Sequence, residues 1–69
     1  MTLLQLKYFV EVCNNESFSL AAKALFVTQP TLSSAISNLE KEFDIKLFER
    51  KRYNLVLTKA GEFFFDRAK

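Results

Sequence analysis

The first part of the chain alternates apolar and polar residues with the period of an amphipathic helix. The apolar residues at this spacing are Leu3, Leu6, Phe9, Val10 and Cys13. They follow the i, i+3, i+4, i+7 pattern that places side chains on one helix face. Asn14 and Asn15 come next, and asparagine is poor inside helices but common at their ends. The pattern therefore predicts a first helix over about residues 3–13.

A second, shorter helix is predicted around a pair of alanines. Ser17 and Ser19 are both suitable N-cap residues, because a serine hydroxyl can accept from the free N–H groups of the first turn. We favour Ser19, which leaves Ala21, Ala22 and Leu25 on one face of the helix that follows.

The third helix is predicted to begin after Thr28, a further N-cap candidate. Pro30 is compatible with a first helical turn, where its missing N–H has no partner. The apolar residues that recur at helical spacing are Leu32, Ala35, Ile36, Leu39 and Phe43. Because only Phe26 and Val27 separate the second helix from the cap, the two helices must cross steeply, as in a helix-turn-helix.

The periodicity changes after Asp44. Residues 47–50 and 55–57 are predicted strands, and residues 51–54 would turn between them to form a β-hairpin wing. Thr58 is then expected to cap a fourth helix, with Glu62 in its first turn. We predict a mainly α fold: a winged helix-turn-helix with a three-helix core and a small hairpin over residues 1–58, its helix-turn-helix near 18–37 and its wing near 47–57.

The fourth helix, over residues 59–69, carries three successive phenylalanines. Successive helical positions differ by about 100°, so Phe63, Phe64 and Phe65 spread over about 200° of the helix surface. A small domain cannot bury all three, and we expect Phe65 to point away from the core and, with Phe64, to form a dimer contact. Gly61 lies inside this helix at a cost of about 1 kcal/mol relative to alanine, which indicates a close packing neighbour.

The other aromatic and sulfur side chains are predicted to be core. Phe9, Phe18, Phe26, Phe43 and Phe48 form this set, in preference to a stacking platform for single-stranded nucleic acid. Cys13 lies on the apolar stripe of the first helix and is expected to be a small core residue.

The outer face of the third helix is polar but uncharged. From Thr28 to Asn38 it offers hydroxyl and amide groups only, and glutamine or asparagine can pair with adenine while serine matches several bases. The predicted base-facing residues are Gln29, Pro30, Ser33, Ser34 and Ser37. The alternative is an ordinary solvated face, but such faces usually carry Lys and Glu.

Composition narrows the possible functions. The 69 residues include no histidine, one cysteine and one glycine, which excludes histidine-dependent catalysis, multi-thiolate zinc sites and glycine-rich phosphate loops. We therefore expect no enzyme, no metal and no cofactor in this domain. One cysteine and no signal peptide or membrane span indicate a cytoplasmic protein.

Positive charge is concentrated at the predicted wing. Residues 1–46 carry four lysines and five acids, whereas residues 47–69 carry six bases and three acids. Arg50, Lys51 and Arg52 are predicted to contact phosphates beside the third helix. The alternative is a charged hairpin tip that only prevents edge pairing.

The chain resembles the LysR-type family of bacterial transcriptional regulators. The resemblance rests on SFSLAAKALFVTQPTLSSAISNLE at residues 17–40 and KLFERKRYNLVLTKAG at residues 46–61. It implies sequence-specific binding of double-stranded promoter or operator DNA, with the second helix of the helix-turn-helix in the major groove. It also implies a homodimer formed through a linker helix, higher oligomers of the full-length protein, and a separate carboxy-terminal domain that binds a small-molecule effector. We expect that domain to be absent and the linker helix to be truncated here.

By this resemblance Gln29, Pro30 and Ser33 would face bases, whereas Ser19, Thr28, Thr31 and Arg50 would serve phosphates or the wing. Two positions depart from the family pattern. Ser34 stands where arginine is frequent, which removes a strong guanine or phosphate ligand. Asp44 stands where glycine is common, so the exit from the third helix is expected to differ. A helical protein-interaction module without DNA binding is the alternative function, although it would need an exposed apolar groove.

Overall fold

Four helices and a two-stranded hairpin make up the computed structural model, which describes residues 1–50 and 55–68. Their order is α1 (Leu3–Asn15), α2 (Phe18–Leu25), α3 (Gln29–Phe43), β1 (Phe48–Arg50), β2 (Leu55–Leu57) and α4 (Lys59–Ala68). The strands are antiparallel, with Phe48 opposite Leu57 and Arg50 opposite Leu55. The predicted mainly α, winged helix-turn-helix architecture is confirmed, while the predicted hairpin turn at 51–54 lies outside the described residues.

Side-chain caps set where the first three helices begin. At α1, Thr2 accepts from the Gln5 N–H at 3.0 Å and the Gln5 side chain accepts from the Thr2 N–H at 2.9 Å, a reciprocal capping box. At α3, Thr28 accepts from the Thr31 N–H at 3.3 Å, as predicted. Each cap satisfies a first-turn donor that has no partner within the helix.

The predicted cap of α2 was wrong. Ser17, not Ser19, is the N-cap, and its hydroxyl accepts from the Leu20 N–H at 3.2 Å. The helix therefore includes Phe18, which packs with Ala21, Ala22 and Leu25 at the i, i+3, i+4, i+7 spacing of a single buried face. That spacing was the available signal. Because Ser17 is the cap, Ser19 lies inside the first turn of α2 and its hydroxyl does not cap the helix.

Three helices end on a residue in the left-handed conformation. The residues are Glu16, Phe26 and Asp44, with φ of 53°, 59° and 53° respectively. Glycine adopts this conformation without the steric cost that a Cβ brings. Asp44 thus takes, with a Cβ, the backbone conformation that suits glycine at a helix end.

The core is centred on Phe9. Its ring lies 5.5 Å from Phe48, 5.9 Å from Phe64 and 6.5 Å from Phe65, measured between centroids. Tilted and edge-to-face contacts of this kind are the favourable arrangements for aromatic rings. The other fully buried large side chains are Leu32, Leu39, Leu47 and Val12. Helices α1 and α4 and strand β1 therefore meet at one aromatic side chain.

Not every phenylalanine expected in the core is there. Phe9 and Phe48 are buried, and Phe18 packs edge-on against Phe48 at 5.7 Å. Phe43 is 43% exposed although it contacts Phe64, and Phe26 is 94% exposed. The prediction for Phe26 was wrong: this residue terminates α2 in the left-handed conformation, and its side chain is exposed to solvent instead of packing in the core.

Gly61 has the close neighbour that its position indicated. A Cβ at this residue would lie 2.2 Å from the Leu47 carbonyl oxygen and 2.8 Å from Leu57 Cδ2. The same Leu47 carbonyl accepts from the Thr58 N–H at 3.1 Å, and Thr58 Oγ1 accepts from the Gly61 N–H at 2.9 Å. Thr58 therefore caps α4 as predicted. Glycine is required because the helix backbone rests directly on the backbone that enters the wing.

Phe65 is not the exposed aromatic of α4. Phe64 and Phe65 are both half-buried against Phe9, whereas Phe63 is 61% exposed. The guanidinium carbon of Arg67 lies 4.8 Å from the Phe63 ring centroid. The expectation that one of the three rings stays outside the core is confirmed, but it is Phe63 and not Phe65.

Candidate nucleic-acid interface

The outer face of α3 is exposed along its first three turns. Gln29, Pro30, Ser34 and Ser37 are exposed, and Ser33 is half-buried. The opposite face buries Leu32, Ile36 and Leu39. The structure thus brings the five predicted base-facing residues together on the solvent side of the second helix of the helix-turn-helix. Neutral donors and acceptors on such a face match the edges of base pairs.

Hydroxyl groups organise the first turn of α3. Thr28 Oγ1 accepts from the Thr31 N–H and donates to Thr31 Oγ1 at 2.8 Å. Pro30 has no N–H, so this turn offers fewer backbone donors to an anion than an ordinary helix N-terminus. The hydroxyl hydrogen of Thr31 is the one that this pair leaves for an outside acceptor. Of the two threonines predicted to bind phosphate, Thr31 is therefore the better placed to donate.

A hydrogen bond joins the first turns of α2 and α3. The Ser19 hydroxyl donates to Gln29 Oε1 at 3.2 Å, and both residues are exposed. Ser19 was predicted to bind phosphate, and the structure places it beside a predicted base-facing residue. Its position follows from the cap at Ser17, which leaves the Ser19 hydroxyl free to reach across to α3.

A groove separates α3 from the beginning of the wing. Its lining includes Ser33 and Ser37 on one side and Lys46 and Glu49 on the other. Glu40 also lines it, and its Oε2 accepts from the Leu47 N–H at 2.7 Å. A carboxylate that accepts from a backbone N–H is engaged in a charge-assisted hydrogen bond. This contact ties the fourth turn of α3 to the residue that precedes β1.

The basic cluster predicted for the wing lies at the edge of the described structure. Arg50 is the last residue of β1, and its backbone pairs with Leu55. Lys51 and Arg52 lie outside the described residues.

Little in the described structure supports other chemistry. Burial raises the pKa of Cys13 to about 12, so its thiol is protonated at neutral pH and a weak nucleophile. Residues 1–50 and 55–68 hold no group of three or more His, Cys, Asp and Glu side chains that could bind a metal ion. Within the same ranges, no helix has the length and apolar character needed to cross a membrane.

Sequence comparison identifies the family. Residues 3–62 match the family described as bacterial regulatory helix-turn-helix protein, lysR family. The chain belongs to the LysR family. The predicted resemblance is thereby confirmed over most of its length.

Curated LysR-family proteins share nearly half of their residues with this chain over the matched region. The transcriptional regulator BudR of Klebsiella aerogenes is 46% identical over 68 residues, which is 99% of this chain and 48% of BudR. The regulator BenM of Acinetobacter baylyi is 44% identical over 68 residues, 99% of this chain and 22% of BenM. The chain thus spans less than half the length of these two relatives.

Solved LysR-family structures have the same fold. The DNA-binding domain of BenM in a complex with catB site 1 DNA superposes with a TM-score of 0.95 at 44% identity, covering 99% of this chain and 76% of that chain. Full-length CbnR in complex with its target DNA gives a TM-score of 0.92 at 37% identity, covering 99% of this chain and 24% of that one. Both neighbours were solved on DNA.

Sequence reasoning considered both Ser17 and Ser19 as the cap of α2 and favoured the wrong one. It missed two polar contacts of this LysR-family domain, the hydrogen bond from the Leu47 N–H to Glu40 and an ion pair between the Met1 amino group and Glu42. These contacts join residues 7 and 41 positions apart, and no local pattern signals them.

Proposed function

We propose that this chain is the DNA-binding domain of a LysR-type transcription regulator and binds double-stranded operator DNA sequence-specifically. Helix α3 enters the major groove, and Arg50, Lys51 and Arg52 of the wing contact phosphates or the minor groove. The observation that carries this proposal is the exposed, uncharged face of α3, on which five residues with short polar or ring side chains lie together. Side chains that read base edges need donors and acceptors more than charge.

The family and the solved neighbours support the same function. BenM and CbnR, whose domains superpose on this chain, were each solved with bound DNA. The curated relatives BudR and BenM are transcriptional regulators. By this reasoning the chain is no enzyme, needs no cofactor for its own activity, and works in the bacterial cytoplasm.

We further propose that the domain works as a homodimer, with α4 as the interface and residues 59–69 as the start of a linker helix. The proposal rests on Phe63, which is exposed, and on its neighbours Phe64 and Phe65 on the same terminal helix. Dimers of helix-turn-helix domains read two half-sites about one helical turn apart, and symmetric dimers use one patch twice. A small-molecule effector would bind a further domain of the full-length protein.

A salt series tests DNA binding. Fluorescence anisotropy of a labelled duplex should show weak binding by the isolated chain, with affinity that falls as salt rises, because few phosphates are neutralised. A flat salt dependence, or equal affinity for a neutral polymer, contradicts DNA binding.

Sedimentation equilibrium tests the dimer: Phe63→Ser and Phe65→Ser should each weaken self-association. If the wild type remains a monomer at high concentration, as does a longer chain, α4 is not the interface.

A further inference from the structure

The hydrogen bond between Ser19 and Gln29 determines which way the glutamine amide faces. A serine hydroxyl has one hydrogen, and here that hydrogen is donated to Gln29 Oε1 at 3.2 Å. The amide oxygen is therefore turned toward α2. The amide nitrogen, which carries two donor hydrogens and no acceptor, is at the opposite end of the same planar group.

This orientation changes what Gln29 can recognise. A free glutamine can pair with adenine in two places, accepting from the N6 amino group with its oxygen and donating to N7 with its nitrogen. With the oxygen directed to Ser19, the group that faces the groove is a donor. Guanine offers two adjacent acceptors, O6 and N7, and thymine offers O4. Adenine offers N7 beside a donor amino group, and cytosine offers a donor amino group, so an approaching amide donor meets another donor on both of these bases.

We infer that Ser19 is a positioning residue that makes Gln29 select a base with an exocyclic carbonyl, guanine or thymine, against the amino bases adenine and cytosine. The inference rests on the proposed binding of α3 in the major groove. It also assigns Ser19 a role other than the predicted phosphate contact, because a hydroxyl hydrogen held by Gln29 is not available to a phosphate oxygen. Both groups are exposed, so the pair can meet a base without rearrangement of the core.

The backbone around Gln29 supports a fixed side chain. Pro30 restricts the conformation of the residue before it, and the Thr28 cap holds the start of the helix through Thr31. Gln29 therefore has little freedom other than its own side-chain torsions. The Ser19 contact limits those torsions.

The free protein gives the first test. The chain has two glutamines, and Gln5 is an internal reference because its oxygen accepts from the Thr2 N–H at 2.9 Å. In Ser19→Ala, the nitrogen-15 relaxation of the Gln29 side-chain amide should report greater mobility, while the Gln5 amide stays as in the wild type. Ser19→Thr, which keeps the hydroxyl, should restore the Gln29 signal. Equal Gln29 mobility in all three proteins overturns the inference without touching DNA binding.

Base selection gives the second test. Duplexes selected from a random pool by the full chain should show, at one position, a preference of about tenfold for guanine or thymine, which corresponds to about 1.4 kcal/mol. Gln29→Ala identifies that position by losing its preference. Ser19→Ala should reduce the preference at the same position to about threefold or less and admit adenine, and Ser19→Thr should retain it.

The outcomes separate the two proposals. If Ser19→Ala weakens all duplexes by one factor and leaves base preference unchanged, Ser19 binds phosphate and the inference is wrong while DNA binding stands. An adenine preference in the wild type at the Gln29 position has the same meaning. If the wild type retains no duplex at any salt concentration, the proposed function itself fails, and the positioning role fails with it.

Discussion

The first turn of α3 and the contact beneath Gly61 are both organised by a threonine hydroxyl, yet they differ in what surrounds it. Thr28 and Thr31 at the start of α3 are exposed, and besides accepting from the Thr31 N–H the Thr28 hydroxyl donates to the Thr31 hydroxyl, a bond between two side chains. Around Gly61 the hydroxyl of Thr58 contacts backbone groups, and the glycine is buried against the Leu47 carbonyl. Exposed side chains in the first region can be substituted without moving the backbone. At Gly61, even the methyl group of an alanine would clash with the Leu47 carbonyl.

This difference indicates that the proposed recognition surface and a contact on which the fold depends lie in separate parts of a very small domain. Substitutions of exposed side chains of the first turn that neither cap the helix nor enter the core, such as Gln29, should alter DNA preference and leave stability nearly constant. Substitutions at the Gly61 contact should reduce stability and leave the preference of the folded fraction unchanged.

The largest expected effect is at Gly61. Without its neighbour, Gly61→Ala would stabilise α4 by about 1 kcal/mol through helix propensity. Because the new Cβ would meet the Leu47 carbonyl at 2.2 Å, we expect instead a loss of about 3 kcal/mol in the free energy of unfolding. Urea denaturation followed by circular dichroism measures it, with the exposed Glu62→Ala as a control on the same helix. A stabilised Gly61→Ala would show that α4 does not rest on the wing.

The next effect concerns the reading surface. Gln29→Ala or Ser33→Ala should each cost about 1–3 kcal/mol on the preferred site and change base preference at particular positions. Urea midpoints should stay close to the wild type, since Gln29 is exposed and Ser33 half-buried. Selection profiles of both variants decide the matter. Unchanged preference in both would remove α3 as the reading element.

Substitution of Arg50 is expected to change affinity without changing base preference, in contrast to substitution of Gln29 or Ser33. Arg50→Ala should weaken all duplexes by a similar factor and reduce the salt slope by about one, because in the proposed complex Arg50 contacts a phosphate and no base. Anisotropy titrations on a preferred and a scrambled duplex, each at several salt concentrations, measure both quantities. A loss confined to the preferred duplex would make Arg50 a base-reading residue.

The smallest effect is at the end of α3. Asp44 has φ of 53°, so Asp44→Gly should remove a steric cost and stabilise the fold by up to about 1 kcal/mol. Asp44→Ala, which keeps a Cβ, is the matched control and should give no such gain. Thermal melting of the two variants separates them. Equal melting temperatures would mean that the left-handed conformation carries no cost here.

Local signals made the fold predictable from sequence. The period of Leu32, Ile36 and Leu39, the Thr28 cap and Pro30 place α3 correctly to its end at Phe43. The close packing of Gly61 was also predictable from the sequence, because glycine destabilises a helix interior relative to alanine and its presence indicates a near neighbour that leaves no room for a Cβ. The candidate interface residues on α3 were likewise found from one helical wheel.

Contacts between distant residues were not predictable in this way. Phe26 looked like core because apolar residues usually are, and only the left-handed end of α2 shows that its ring is exposed. Phe65 was assigned outward by helix geometry, but the position of Phe9 in α1 determines which of three rings is covered. The Ser19 contact depends on the angle between two helices, which no spacing in the chain reports.

The hydrogen bond from the Leu47 N–H to Glu40 has a consequence for which DNA shapes the domain would bind. Glu40 lies eleven residues after Gln29 on one rigid helix, about 16 Å along its axis. This hydrogen bond holds the start of the wing at a fixed distance from Gln29. The two proposed DNA-contacting elements, the first turn of α3 and the wing, therefore have a set separation. A duplex that contacts both elements must have a groove of matching width or must bend to reach it. The stiffness of the DNA would therefore affect affinity even at base pairs that neither element contacts.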